Sequence, residues 1–310
     1  MLKVSWLMMF INHFIRMNHK SNPLVSICVP TFNGETYIAK ALQSAINQTY
    51  PNLEIVVSDD ASNDNTLSIV NSYKEKTTIP FYVYHHTPSG IGANWNHCVK
   101  QAQGDYIKFL FQDDVLEPHC IETMMELALQ DAKIGLVYSK RRFLYDTLTP
   151  KIKAFIDFYD KLHTYWQHVR VQQGVLNGKA YLKDRQFLNS PKNKIGEPVA
   201  VLIKRECFKN LGFFNESLQQ TLDYEFWYRV MKHYHVGFVD VSLVGFRLHD
   251  EQASVINKKK AINEQHILFA SYYKHLFWYL HPQNQLKLLK LYHPMFKGLV
   301  RIRNFIHDKN

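Results

Sequence analysis

The sequence predicts an α/β fold: a mainly parallel sheet flanked by helices, with a helical extension towards the C-terminal end. Three observations carry that prediction. Between residues 24 and 139, short apolar runs alternate about five times with stretches of helical periodicity, the connections are short, and the runs are rich in β-branched residues. Such alternation packs as βαβ units, because parallel neighbours need a crossover between them. A chain of 310 residues suffices for one large α/β domain, or one domain plus an appendage.

Each element follows from its pattern. Leu24 to Val29, LVSICV, reads as a strand buried on both faces and ended by Pro30. Over Glu35 to Gln48, Ile38, Ala41, Leu42, Ala45 and Ile46 recur at helical spacing. Leu53 to Ser58 is a second buried strand, followed by a polar turn and a helix from about Thr66 to Glu75. Phe81 to His85 is a third strand, Ala93 to Ala102 a helix, and Tyr106 to Phe111 a fourth strand. A helix over Pro118 to Leu129 leads to the strand Gly135 to Ser139. Residues 146–190 are polar and aromatic, and read as long loops and short helices over the sheet edge. Pro198 to Ile203 returns as a strand, Tyr224 to Lys232 as a helix, and the chain beyond Ala261 reads as helical with a basic tail.

Composition narrows the class. With 46% hydrophobic and 21% charged residues the bulk should be folded. Cys28, Cys98, Cys120 and Cys207 lie far apart, which argues against a disulfide framework or a thiolate zinc site and suits a reducing compartment. The formal charge is +10, and from Lys258 to Asn310 ten Lys and Arg face two acids, Glu264 and Asp308. A basic surface so localised attracts anions such as phospholipid headgroups, nucleic acid or phosphorylated substrates. The apolar run Val4 to Ile15 is broken by Ser5, Asn12 and His13, and is too short to span a bilayer. It is followed by no small-residue cleavage site, and Met17 is an alternative start.

In an open parallel sheet, ligands bind beyond the carboxyl ends of the strands. Asp59 and Asp60 follow the second strand, Asp113 and Asp114 follow the fourth, and Asp223 opens the late helix. Neither a P-loop lysine pattern nor a Gly-x-Gly-x-x-Gly turn appears, so a phosphate is not gripped in either of those ways. A divalent ion on one or two carboxylates, completed by phosphate oxygens and water, is another way to hold a diphosphate. Asp113 and Asp114, set between FLF and VL, have the type and place for it; two adjacent ionised groups would repel unless a cation or strong donors offset them.

The segment VSICVPTFNGETYIAKALQSAINQTYPNLEIVVSDDASNDNT resembles the opening of glycosyltransferase family 2. GIGANWNHCVKQAQGDYIKFLFQDDVLEPH resembles that family's second block, and RECFKNLGFFNESLQQTLDYEFWYRV its third. The likeness covers roughly residues 24 to 250 in the family's order, and the blocks together are specific where a lone Asp-Asp is not. It implies the Rossmann-like GT-A fold and an inverting transfer of a sugar from a nucleotide diphosphate, a UDP-sugar first, to a hydroxyl of a glycan or lipid-linked glycan. By the same resemblance, Pro30, Thr31, Phe32 and Asn33 would line the nucleotide pocket, with Glu35 near base and ribose. Asp60 would accept from the base, Asp113 would contact the ribose or sugar, and His249 would lie near the diphosphate. Asp114 would bind Mn²⁺ or Mg²⁺, and Asp223 would take the proton from the acceptor. Two positions depart from the pattern: Phe111 replaces the first Asp of Asp-x-Asp-Asp, and Leu222 replaces the Glu that commonly precedes the base.

These residue types suit the chemistry. A dication offsets the charge of the departing diphosphate as a Lewis acid. The acceptor hydroxyl is a poor nucleophile at neutral pH and needs a carboxylate to remove its proton, and the transition state should resemble an oxocarbenium ion. The expected organisation is an extension over residues 1–22, a transferase domain over 23–255 and a basic helical segment over 256–310. That segment could rest on anionic lipid, placing a cytoplasmic enzyme on the inner face of the membrane near a cell-surface polysaccharide acceptor. Partitioning of a chain ending near Asn257 would test this.

Plainer readings stand beside these. Asp59 and Asp60 can simply form a turn and cap a helix, Asp113 and Asp114 a solvated loop or cap. Asp223 can be a first-turn helix acid favoured by the dipole, and His249 a hydrogen-bonded surface histidine. Gly90 and Gly92 fit a turn, Trp227 and Tyr228 core packing or an acceptor wall, and Lys258 to Lys260 a solvated face. Two other functions remain open: a basic nucleic-acid-binding module, which lacks any recognised motif here, and a nucleotidyltransferase, which would usually need a Gly-rich basic loop where PTFNGETY stands.

Overall fold

The first strand, β1 (Val25–Thr31), is buried along its whole length, and so is β2 (Leu53–Asp59) beside it. Val25, Ile27 and Val29 point into one apolar cluster and Cys28 into the other, so helices cover both faces. The protein is described here by a computed structural model over residues 22–249, 252, 262–294 and 296. The N-terminal run before residue 22, Lys258 to Lys260 and the tail beyond Phe296 lie outside the described residues.

Parallel pairing brings strand ends to one rim. β1 and β2 pair in register from Val25↔Leu53 to Thr31↔Asp59. Next to β2 lies β3 (Phe81–His85), which ends at Asp59↔His85, and on the other side of β1 lies β4 (Tyr106–Phe109), which ends at Cys28↔Phe109. The connecting helices are α1 (Ile38–Ile46), α2 (Thr66–Lys74) and α3 (Ile91–Gln101). The polar residues after these strands therefore emerge at a common edge.

The second half of the sheet is mixed. Its strands are β5 (Val115–Leu116), β6 (Ile134–Leu144), β7 (Gly174–Asn177), β8 (Val201–Lys204) and β9 (His235–Arg247). The order is β3-β2-β1-β4-β8-β6-β9-β5, with β7 added on β9. β8 runs antiparallel to both β4 and β6, whereas β6 and β9 are parallel. The long β9 was not expected, because exposed Val241 and the polar Asp240 and Ser242 interrupt its apolar pattern. Its register against β6 shifts on either side of Lys140, and these bulges let one strand leave the core and finish at the rim.

Other boundaries moved for physical reasons. The expected strand from Pro198 begins at Val201, since Pro198–Ala200 form a 3₁₀ turn whose proline has no N–H for a ladder. The helix α4 (Cys120–Ala128) precedes β6, and within residues 146–190 lies α5 (Pro150–Tyr159), capped by Thr149 Oγ1 accepting from Ile152 N at 3.2 Å. Ile152, Phe155, Ile156 and Tyr159 recur at helical spacing and are half-buried, although none of its residues is fully buried. Two short helices follow, α6 (Gly178–Leu182) and α7 (Glu206–Leu211), and then α8 (Leu222–Met231), buried on nearly every side. All four cysteines are free and buried, as their spacing suggests. No helix among the described residues is long and apolar enough to cross a membrane.

The final helices, α9 (Gln265–His275) and α10 (Pro282–Tyr292), join the main core through Leu268, Phe269, Tyr272 and Leu288. Tyr272 packs its ring 5.3 Å from Phe187 and 5.9 Å from Tyr228. Just before α9, buried Glu264 accepts from the backbone N–H groups of Gln219, Gln220 and Thr221 and from Thr221 Oγ1, the last three contacts at 3.0–3.1 Å. It thereby fixes the turn that launches α8. Glu264→Gln puts an amide against these donors and is expected to cost about 1.5–3 kcal/mol, the usual worth of hydrogen bonds to a charged group, read from urea denaturation midpoints.

Candidate active site

The rim is built first by the turns after β1 and β2. Thr31 Oγ1 donates to Gln112 Oε1 at 2.9 Å, Phe32 N to the same oxygen at 2.8 Å, and Gln112 Nε2 returns a bond to Phe32 O at 3.0 Å. Gln112, which sequence reasoning missed, thus staples the expected nucleotide loop to the acidic turn after β4. Pro30 stays within β1 opposite Ser58, while the Phe32 ring is 53% exposed and open to a planar ligand. Asn33 adopts a left-handed φ of 47°, tolerated by asparagine, and its Oδ1 accepts from Asn63 N at 3.0 Å. Glu35 Oε2 accepts from Asn65 N and Nδ2 at 2.9 and 2.8 Å, so one oxygen braces the start of α2.

Asp59 and Asp60 divide their work. Asp59 is buried and accepts from Ser62 N at 2.9 Å and Ser62 Oγ at 2.5 Å, the turn-forming arrangement. Asp60 instead meets His86 Nδ1 at 2.7 Å. Behind it His97 lies 5.0 Å from the His86 ring and bonds Ser58 Oγ at 2.7 Å. Burial, then the neighbouring His86 and Lys100, hold His97 below its ordinary pKa.

The Asp113–Asp114 turn meets the end of β9. Asp114 is 1% exposed; its Oδ1 accepts from Arg247 N at 2.9 Å, while Oδ2 has no hydrogen-bond partner among the described residues. Burial first, then the adjacent Asp113, drive its carboxyl well above the usual carboxylate range. Asp113 Oδ2 lies 2.9 Å from His249 Nε2, and its carbonyl accepts from Arg247 Nε at 2.9 Å. Tyr37 completes the cluster, with the Arg247 guanidinium 4.4 Å over its ring and His249 5.3 Å away. An unpartnered buried carboxylate oxygen beside a second carboxylate suits a hard divalent cation. Among the described residues no group of three or more His, Cys, Asp or Glu could hold a metal, so phosphate oxygens and water would complete its shell. The donor set therefore fits Mg²⁺ or Mn²⁺ carried with a diphosphate, and does not fit an all-protein zinc cage. Phe111 stacks 4.9 Å from Trp95 and joins an aromatic wall in place of a third acid.

Asp223 sits in the first turn of α8, 7% exposed. Asn193 Nδ2 donates to its Oδ2 at 3.0 Å, and Oδ1 is buried without a hydrogen-bond partner among the described residues. Burial pushes its carboxyl up to about 8, and the negative charge of Glu197 adds to the rise. The same Glu197 also raises Asp114, after burial and Asp113. Glu197 is thus a third acid, unforeseen from sequence, that lies within electrostatic reach of both. Asn193 Nδ2 also donates to Gly196 O at 3.1 Å, and its Oδ1 accepts from Ile195 N and Gly196 N at 3.1 and 2.9 Å. Trp227 Nε1 donates to Gly196 O at 3.2 Å and Tyr228 Oη to Lys192 O at 2.5 Å, so these two aromatics are core residues that hold the loop under Asp223.

Residues 26–212 match the family described as Glycosyl transferase family 2. The chain belongs to that family. Its fold is GT-A. A curated relative, an uncharacterized glycosyltransferase of Rickettsia felis, is 28% identical over 303 residues, covering 92% of this chain and 43% of its own length. The chain thus spans less than half of that relative. Among solved structures, S. aureus TarS 1–349 in complex with UDP-GlcNAc superposes with a TM-score of 0.60 at 19% identity, over 86% of this chain and 73% of that one. The mannosyltransferase PcManGT from Pyrobaculum calidifontis, in complex with GDP-Man and Mn²⁺, gives 0.54 at 18%, over 93% and 81%. At such identities the likeness speaks for the fold.

In this family member the burial of Asp223 makes stability depend on pH. An unfolded aspartate releases its proton near pH 3.9, whereas the folded chain holds it to about 8. Between those values the folded state binds the extra proton, so stability falls as pH rises. Asp223→Asn removes that dependence. Its melting temperature relative to the wild type should increase from pH 5 to pH 8.5, and a constant difference would contradict the shift.

Proposed function

We propose that this family member transfers a sugar from a nucleotide diphosphate, a UDP-sugar in the first instance, to a hydroxyl of a glycan or lipid-linked glycan, with inversion. The observation that carries the reading is the pair Asp114 and Asp223: each is buried, each keeps one carboxylate oxygen unpartnered, and both feel Glu197. One acid suits the leaving group and the other the incoming alcohol. The UDP-GlcNAc bound by TarS, which shares the fold, supports the choice of donor class.

In this reading Thr31, Phe32 and Asn33 border the base and ribose, with Phe32 offering its exposed face and Glu35 bracing the loop from behind. Asp60, steadied by His86, accepts from the base. Asp113 and His249 bound the ribose and diphosphate side as one hydrogen-bonded unit. Asp114, with Asp113 beside it, would hold Mn²⁺ or Mg²⁺, which when bound offsets diphosphate charge as a Lewis acid. The Mn²⁺ in the PcManGT complex is a precedent on the same fold. Asp223 removes the acceptor proton as the new bond forms; burial raises its proton affinity into the range that suits a general base at neutral pH. Asn193 fixes which carboxylate oxygen is free to do so. Attack from the face opposite the diphosphate inverts the anomeric carbon. The basic residues of the C-terminal end would keep the enzyme at an anionic membrane surface, near a growing cell-surface polysaccharide.

Asp223→Asn should bind nucleotide diphosphate as the wild type does, by titration calorimetry, yet lose transfer by about 10²–10⁴-fold, the usual worth of a general base. Wild-type kcat/KM should rise with pH through about 8. Full transfer by Asp223→Asn removes it from the role. Asp114→Asn should lose the Mn²⁺-dependent part of nucleotide binding, and binding that still responds to Mn²⁺ as before removes Asp114 as the ligand.

A further inference from the structure

Glu197 follows a built turn. Gly196 has a φ of +125°, a conformation that favours glycine, and its carbonyl accepts from both Asn193 and Trp227. Pro198 opens the 3₁₀ turn after it, and Glu197 O accepts from Ala200 N at 2.8 Å. The backbone of Glu197 is therefore fixed on both sides. Its side chain is 21% exposed and lies 2.7 Å from Arg141 Nε. That contact is ionic only: Glu197 Oε2 and Arg141 Nε are both shielded from water, and neither makes a hydrogen bond. Arg141 spends another nitrogen on Tyr159 O at 3.1 Å and lies 5.1 Å over the Phe143 ring.

A buried ion pair serves stability only when its geometry is good and its remaining hydrogen-bonding capacity is used. This pair satisfies neither condition. Arg141 compensates the charge of Glu197 but leaves its acceptor capacity open, which suits a ligand rich in hydroxyl donors. Position narrows that ligand. In a direct displacement the transferred ring lies between the departing diphosphate and the incoming alcohol, hence between Asp114 and Asp223. Arg141, which holds Glu197, pairs across the sheet with Val244 on β9, the strand whose Arg247 N–H serves Asp114. Its loop is also tied to Asp223 through the shared amide of Asn193.

We propose that Glu197, its charge compensated by Arg141, accepts hydrogen bonds from hydroxyls of the sugar carried on the nucleotide diphosphate, and so selects which sugar is transferred. The inference rests on the transferase reading above and adds the residue that reads the sugar. A carboxylate held in one orientation favours a ring whose hydroxyls point at its accessible oxygen and disfavours the epimer whose hydroxyl turns away, because that oxygen, covered by the bound sugar, is then left without a donor.

The test is calorimetric titration of UDP, UDP-N-acetylglucosamine, GDP and GDP-mannose into wild type, Glu197→Gln and Glu197→Ala with Mn²⁺ present. The Kd for the nucleotide sugar that the wild type binds should rise about tenfold or more in both variants, consistent with loss of a hydrogen bond to a charged group, while the Kd for the bare diphosphate stays within about twofold. Should the lone Arg141 charge prevent folding, the double variant Arg141→Gln with Glu197→Gln removes both charges and should show the same split. Equal weakening for diphosphate and nucleotide sugar would make Glu197 a structural residue, and unchanged binding of both would discard it. A wild type that binds none of the four compounds overturns the UDP-sugar donor on which the inference rests, a result distinct from either.

Discussion

Arg247 holds the two halves of the sheet to one another at the place where chemistry is expected. Its backbone N–H serves Asp114, its guanidinium serves the carbonyl of Asp113, and its charge lies over Tyr37 at the start of α1. The first half of the sheet contributes the acids and the second half contributes the strand that reaches them. Removing a carboxylate from water costs several kcal/mol unless its partners are complete, and one backbone donor does not complete Asp114. Asp223 is likewise buried, with the Asn193 amide on one oxygen and no hydrogen-bond partner among the described residues on the other. Groups left in this state are locally unfavourable, and such conflicts in a well-packed protein concentrate where a ligand is meant to resolve them.

The acids were legible because the strands were. An apolar run that stops at a polar pair marks both the strand and its rim, so Asp60 and Asp114 were found from LEIVVS and FLF, and Asp223 from the helix it opens. The residues that position them were not legible. Gln112 bonds to Thr31 across 81 positions of sequence, and Arg247 reaches Asp114 across 133 through a backbone N–H that any residue carries. Glu197 looks like an ordinary surface glutamate next to a proline, and only the fold brings it under the influence of two other acids. β9 escaped because its bulged middle is polar.

Several plainer readings turned out to describe the same residues correctly. Asp59 is a turn former, and Trp227 and Tyr228 are core residues whose polar tips support the loop beneath Asp223. Phe111 shows what a departure from a family pattern does physically: its ring extends the stack of Trp95 and Phe109, so the wall gains apolar contact and the rim has one carboxylate fewer. A bound cation would then depend more on its phosphate ligands than on the protein.

Glu264 lies beyond residue 257, and its carboxylate seats the turn from which the Asp223 helix departs. The described part of the C-terminal segment is consequently a foundation of the candidate site around Asp223 and not a detachable anchor. Shortening the chain to Asn257 would remove this seat together with Leu268, Phe269 and Tyr272, and would impair the enzyme whether or not lipid is its surface. Affinity for a bilayer is better separated from turnover by neutralising the lysines and arginines from Lys297 onward one by one, with Glu264 left in place.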